Sequence, residues 1–345
     1  MQNEVLEWTG GAFVHNHFRI DDLVDSSNGD ISPEMAIYMK RYKDGSFSLP
    51  AITTYLEEML GQKLLITDTQ HPSYVLDENY DDFENEDKVQ FFNPKSVEQT
   101  VNLLTRCIVE RRRVIRKFEN LSHILSGVEV DILSDRGGLT VHNEGLSGLD
   151  YVTASFHSSI WYAAGKESPS KTTCLDMYQY VAENPHVDAI SHPTFYIPRD
   201  VKTSMSAQDW AELFQNMKEK GVAFEINLDS TNLTFSRDEN LDRALIALAM
   251  KVGTPLVIGF DFHYMADWGG YPSPSILLEE DETRKLFNKH VENGSVNKLL
   301  GRVLGNIYAL KDLGLTASNI LNSNNGLFDT WISGRSDFKP PIIES

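Results

Sequence analysis

Cysteine is almost absent. The two present, Cys107 and Cys174, sit in unrelated contexts, which excludes a disulfide framework and agrees with a reducing, cytoplasmic setting. Both read as small core residues rather than nucleophiles. Long apolar runs are lacking too: none approaches the roughly 20 residues that cross a bilayer. The opening "MQNEVLEW" is acidic and has neither the basic end nor the apolar run of a secretory signal. Basic residues are outnumbered, 31 against 50 acidic ones, for a formal charge of −19. A surface of that sign repels phosphate backbones. The densest basic stretch, "RCIVERRRVIRKFEN" at 106–120, reads as a helix with its charge toward solvent. Membrane and nucleic acid are therefore disfavoured as partners; oligomeric state is left open.

Seven short β-like runs recur along the chain: "AFVHNHF" (12–18), "KLLITDT" (63–69), "GVEVDIL" (127–133), "DYVTASFH" (150–157), "VDAISHP" (187–193), "VAFEINL" (222–228) and "PLVIGFDFH" (255–263). Several are nearly continuously apolar, as strands covered on both faces are. Amphipathic segments lie at 51–61, 96–121, 173–184, 207–221 and 238–253, and the last two end in Gly, a common helix stop. The exception is the Gly-rich connection 134–149, which has room for a short hairpin and a helical turn or two. Strand–helix alternation of this kind predicts a parallel α/β sheet, closed or open. No repeat or Ser/Gly/Pro-rich linker divides the chain, so residues 1–345 read as a single domain. "LDENYDDFENED" at 76–87 is an acidic, solvated insert, 281–313 reads as terminal helices, and the tail at 322–345 as irregular covering chain.

Histidine is scarce, with ten in 345 residues, yet two stand one residue apart in "FVHNHF". In an extended strand, residues i and i+2 share a face, so His15 and His17 are expected to project together. Glu129 and Asp131 fall at the end of the third run, His157 at the end of the fourth, His192 in the fifth, and Asp261 and His263 in the seventh. In a parallel barrel those ends open onto one face, where the active sites of such folds gather. Leaving Asp131 aside, seven strong ligands then converge. That number exceeds one tetrahedral zinc and suits two or three divalent ions sharing a carboxylate.

In these runs the chain resembles the PHP family (polymerase and histidinol phosphatase). "HNH" is similar to the family's opening His-x-His, "ITDT" to its Thr-Asp-His, and "GVEVDIL" to Gly-x-Glu-x-Asp. "DYVTASFHS", "ISHPT", "FEIN" and "GFDFH" follow in the family's order, across about residues 12–265. The resemblance implies a distorted seven-stranded (βα)7 TIM-like barrel with a C-terminal helical and irregular extension over 281–345. It implies two or three divalent ions (zinc, manganese or iron), with His15, His17, Glu129 and Asp261 around one, and Glu129 bridging to a second held by His157 and His192. His263 belongs to a third ion or faces the substrate. The chain departs from the family at that third site: Asn28 stands where Asp is usual and Thr69 where His is usual, with His71 and Asp25 as the available substitutes.

The activity implied is metal-dependent phosphoester hydrolysis of a small phosphorylated molecule by a metal-bridging hydroxide, with Glu129, Asp261 and His263 as the catalytic set. Arg136 and Arg199 follow strand ends and are candidates for holding the phosphate. Asp131, Glu225 and Asn227 read as supports that fix ligands from behind. Phe260 and Phe262, with Phe18, Tyr196 and Tyr264, predict an aromatic, narrow site for a substrate with a flat or apolar portion. Two rival readings keep the fold: a 3′-end nuclease, and a catalytically degenerate barrel serving as a binding module.

Overall fold

A computed structural model describes residues 2–10, 12, 14–16, 65–70, 97–116, 124–228, 239–262 and 295–336. The helix expected at 51–61, the acidic insert at 76–87, and His17, Asp25, Asn28, His71 and His263 lie outside the described residues. Within them, strands β1 (Val14–Asn16), β2 (Ile66–Gln70), β3 (Ile124–Asp131), β4 (Tyr151–Ser155), β5 (Ala189–Ile190), β6 (Ala223–Asn227) and β7 (Leu256–Phe262) form one sheet. Its order is β1-β7-β6-β5-β4-β3-β2, with every neighbouring pair parallel. The two outer strands approach each other, and the His15 backbone N–H donates to Thr67 Oγ1 at 2.9 Å. The sheet is thus a nearly closed α/β barrel of TIM-like form.

All seven strands match the expected runs, with ends shifted by up to three residues. Helices lie between them: α1 (Gln2–Thr9), α2 (Val97–Arg116), α3 (Asn143–Leu146), α4 (Ser158–Ala163), α5 (Lys171–Glu183), α6 (Arg199–Ser204), α7 (Ala207–Lys220) and α8 (Glu239–Val252), followed by α9 (Ser295–Asp312) and α10 (Asn325–Ser336). Local chemistry sets their ends. Ser206 and Asp209 form a reciprocal capping box on α7, and Gly221 stops it in the left-handed region at φ 70°. On α2, Val101, Leu104, Ile108 and Ile115 bury one face. Arg111 is buried with them, against the expectation that the basic charge of this helix faces solvent; Arg106, Arg113 and Arg116 are exposed.

Strand alternation sorts the interior into two. Even-numbered residues such as Val128, Val130, Val152, Ile226, Ile258 and Phe260 point outward into the main core shared with the helices. Leu125, Tyr151, Ala189, Ala223 and Val257 point inward and make the barrel floor with Ala12, Val14 and Leu65. Cys107 and Cys174 are both buried, and burial pushes the Cys174 thiol pKa up to about 12.

Phe328, Trp331 and Ile332 of α10 plug that floor. The expectation of irregular chain is therefore wrong for 325–336. Phe328, Trp331, Ile332 and Arg335 follow a helical i, i+3, i+4, i+7 spacing, but Gly326, Gly334 and the surrounding Asn and Ser residues lower helix propensity enough to hide it. Arg335 is buried, pairs with Asp188 at 3.5 Å, and donates to the carbonyls of Lys220 and Val187.

Candidate metal centre

Above the apolar floor the barrel interior turns polar. Thr67, Thr153, Ser191 and Glu225 are all buried, and Thr153 and Ser191 share a 2.6 Å hydrogen bond. Thr69, at the position where the family pattern has His, is buried with its hydroxyl 3.1 Å from that of Thr67. The next layer, at the C-terminal ends of the strands, is the mouth.

Glu129 stands at its centre. Its Oε2 lies 3.1 Å from His15 Nε2, while Oε1 lies 3.1 Å from His192 Nε2 and 3.7 Å from His157 Nε2. Ser155 donates to Oε1 at 2.6 Å. On the His15 side, Asp261 Oδ1 is 3.4 Å from His15 Nε2. Two sets of donor atoms result, each with members within 4.8 Å of one another: His15, His192 and Asp261; and Glu129, His157 and His192. His192 reaches both sets, whereas the sequence pattern assigns it to one.

The other nitrogen of two of these imidazoles is held from behind. His15 Nδ1 is 2.7 Å from Glu225 Oε1, and His157 Nδ1 is 2.7 Å from Asp131 Oδ1. Asn227 donates to Asp261 Oδ2 at 3.0 Å. A carboxylate on Nδ1 fixes ring orientation and leaves Nε2 to face a cation. Asp131, Glu225 and Asn227 thus sit where supports would sit.

The backbone is strained at the same place. Among the described non-glycine residues, positive φ occurs at His15 (58°), His192 (27°) and Asp261 (53°). These are the three members of the first donor set. Each such residue costs about 1–3 kcal/mol. The β1–β7 register also slips here, from Val14 opposite Gly259 to Asn16 opposite Phe262, so one extra residue is accommodated in β7. A bulge of this kind re-aims side chains, here bringing His15 and Asp261 to the mouth. His15 itself departs from the extended backbone assumed for its pairing with His17, which lies outside the described residues.

The electrostatics favour a cation. Burial alone pushes the His15 imidazole pKa down, but the carboxylates of Glu225, Glu129 and Asp261 outweigh it and hold the pKa well above its ordinary value. A proton on His15 partly neutralises carboxylates that are expensive to bury unpaired. Imidazole and carboxylate donors of this mix suit divalent metal ions, so the residues present fit such ions.

Gly259 was not singled out by motif. A Cβ there would lie 2.4 Å from Glu225 Cδ, so only glycine leaves room for the carboxylate that holds His15. It shares the inward face of β7 with Asp261, and that alternation was the available signal. Gly259→Ala is expected to weaken metal binding about 10- to 100-fold through Glu225, measured by competition with a chromogenic chelator. Unchanged affinity would show that Glu225 does not need this space. Ser155 was likewise legible only through its alternation with His157.

One expectation about the aromatic mouth changes. Phe260 does not line it: the ring is buried outward in the main core, because β7 alternation turns it away from Asp261. Tyr196 does adjoin the centre, its ring 4.7 Å from His157 and 5.8 Å from His192, and Phe195 joins it at 4.6 Å. Arg136, after β3, and Arg199, at the start of α6, are both exposed.

Comparison with known proteins adds a name. The chain is 31% identical over 168 residues to a probable phosphatase of Shewanella amazonensis, covering 48% of the chain and 61% of the relative. A probable phosphatase of Acetivibrio thermocellus is 32% identical over 158 residues, covering 46% and 59%. One from Vibrio cholerae is 26% identical over 174 residues, covering 49% and 63%. All three carry the name probable phosphatase. The chain spans about three fifths of their length. No family model matches. A solved archaeal ribonuclease P with mature tRNA overlaps 73% of the chain and 85% of its own, at 15% identity and a TM-score of 0.32, too low to inform the fold. Among the described residues no helix is long and apolar enough to cross a membrane.

Proposed function

We propose that the chain is a metal-dependent phosphoesterase of PHP type acting on a small phosphorylated molecule. The observation that carries this reading is Glu129, which presents one carboxylate oxygen to His15 and the other to His192 and His157. His15 and Asp261 would hold one ion, His157 and His192 a second, and Glu129 would touch both. Divalent ions bound there would supply water of lowered pKa and offset charge on a phosphate. The chain's own residues do the rest. Glu225 and Asp131 keep two imidazoles facing the centre, and the apolar floor under them keeps water from entering from below. Arg136 and Arg199 are the cations offered to the phosphate, and His263, two residues beyond Asp261, is the candidate proton donor to the leaving oxygen.

The test is a panel of phosphomonoesters and phosphodiesters with manganese or zinc. Hydrolysis that a chelator abolishes and added metal restores is expected. A protein that carries its ions and hydrolyses none of the panel overturns the reading in favour of a binding module. Cleavage confined to single-stranded oligonucleotides and falling steeply with salt favours a nuclease instead.

A further inference from the structure

Beside the centre, two aromatic rings stand in solvent. Phe195 is 50% and Tyr196 36% exposed, although both lie on a turn fixed at several points. Phe195 N–H donates to the His192 carbonyl at 3.0 Å, Tyr178 donates its hydroxyl to the Pro193 carbonyl at 2.8 Å, and Thr194 donates to buried Asp242 at 2.8 Å. Ile197, next in the chain after Tyr196, is buried. The turn is thus held rigid, and its two aromatic side chains project from it instead of folding back into the core.

Their geometry makes a corner. The Phe195 and Tyr196 rings are 4.6 Å apart at an interplanar angle of 80°, so one offers a face beside the other's edge. Tyr196 in turn packs against His157, at 4.7 Å, and Phe195 approaches His192, at 6.3 Å. The corner therefore begins where the ligand imidazoles end. A phosphate seated at Glu129 would carry its ester substituent one or two bonds away, within reach of these rings. An aromatic ring meets such a corner favourably on both sides, stacked on one wall and edge-on to the other, and a preformed wall spends little entropy in doing so.

We infer that Phe195 and Tyr196 form a specificity pocket for phosphoesters whose alcohol carries a planar ring close to the phosphate. The inference builds on the phosphoesterase reading but is tested apart from turnover. Benzylphosphonate and ethylphosphonate, neither of which can be hydrolysed, are titrated calorimetrically into manganese-loaded wild-type protein and into Phe195→Ala and Tyr196→Ala. Wild type is expected to bind the benzyl compound about tenfold more tightly, and each substitution to bring that ratio toward one. Equal affinities in wild type, binding of neither compound, or a ratio that both substitutions leave intact overturns the pocket. A ring preference erased by the substitutions, in a protein that hydrolyses nothing, removes the phosphoesterase reading and leaves the ring pocket standing.

Discussion

Glu129→Gln is expected to lower kcat/KM for any phosphoester the protein turns over by about a thousandfold or more, with the circular-dichroism spectrum unchanged. Gln keeps the shape and loses the charge. It also replaces one of two oxygen donors with an amide nitrogen that has no lone pair to offer a cation, and Glu129 uses both oxygens, one on each side of the mouth. Removing a carboxylate that faces only one ion would leave the other site intact. Removing Glu129 disturbs both, which is why the effect should exceed that of Asp131→Asn behind His157, set at about 10- to 100-fold. Steady-state kinetics at saturating manganese decide it. A near-normal rate for Glu129→Gln would mean that the hydrolytic centre lies elsewhere.

Arg335→Ala should cost about 3–5 kcal/mol of unfolding free energy, the range for breaking a buried ion pair from one side. The guanidinium is buried at the floor, and its loss strands Asp188, whose other oxygen accepts the Val152 backbone N–H at 2.8 Å. The carbonyls of Lys220 and Val187 lose a donor as well. Restoring balance should restore stability: Asp188→Asn combined with Arg335→Met removes both charges and is expected to recover much of the loss. Denaturant melts of the wild type and these two variants measure this. An Arg335→Ala loss below about 1 kcal/mol would place the pair in the class of weak surface bridges, and α10 would not be a structural plug.

What the sequence revealed and what it hid follow one physical line. Parallel strands buried on both faces read as short apolar runs, so all seven appear in the chain before any coordinates. His15, His157, His192, Glu129 and Asp261 were legible as candidates because strand ends gather on one face, and Asp131, Glu225 and Asn227 as their neighbours on the same strands. The bulge between β1 and β7 and the left-handed backbone at His15, His192 and Asp261 were not visible, since none of the three left-handed positions is itself a glycine and the strand pattern does not reveal the extra residue. Phe260 was misplaced because the motif was read without following alternation through the strand. The helix at 325–336 was missed because its glycines and asparagines spoke louder than four residues at helical spacing. Phe195 carried no signal of its own: only the turn's anchors show that it projects beside His192.

Crystals grown with manganese and measured for anomalous scattering test the account at its root. Peaks are predicted within about 2.0–2.3 Å of donor atoms, one between Glu129, His15 and Asp261 and another between Glu129, His157 and His192. Density for manganese only at surface carboxylates, with these five side chains joined to one another and no ion among them, would contradict it.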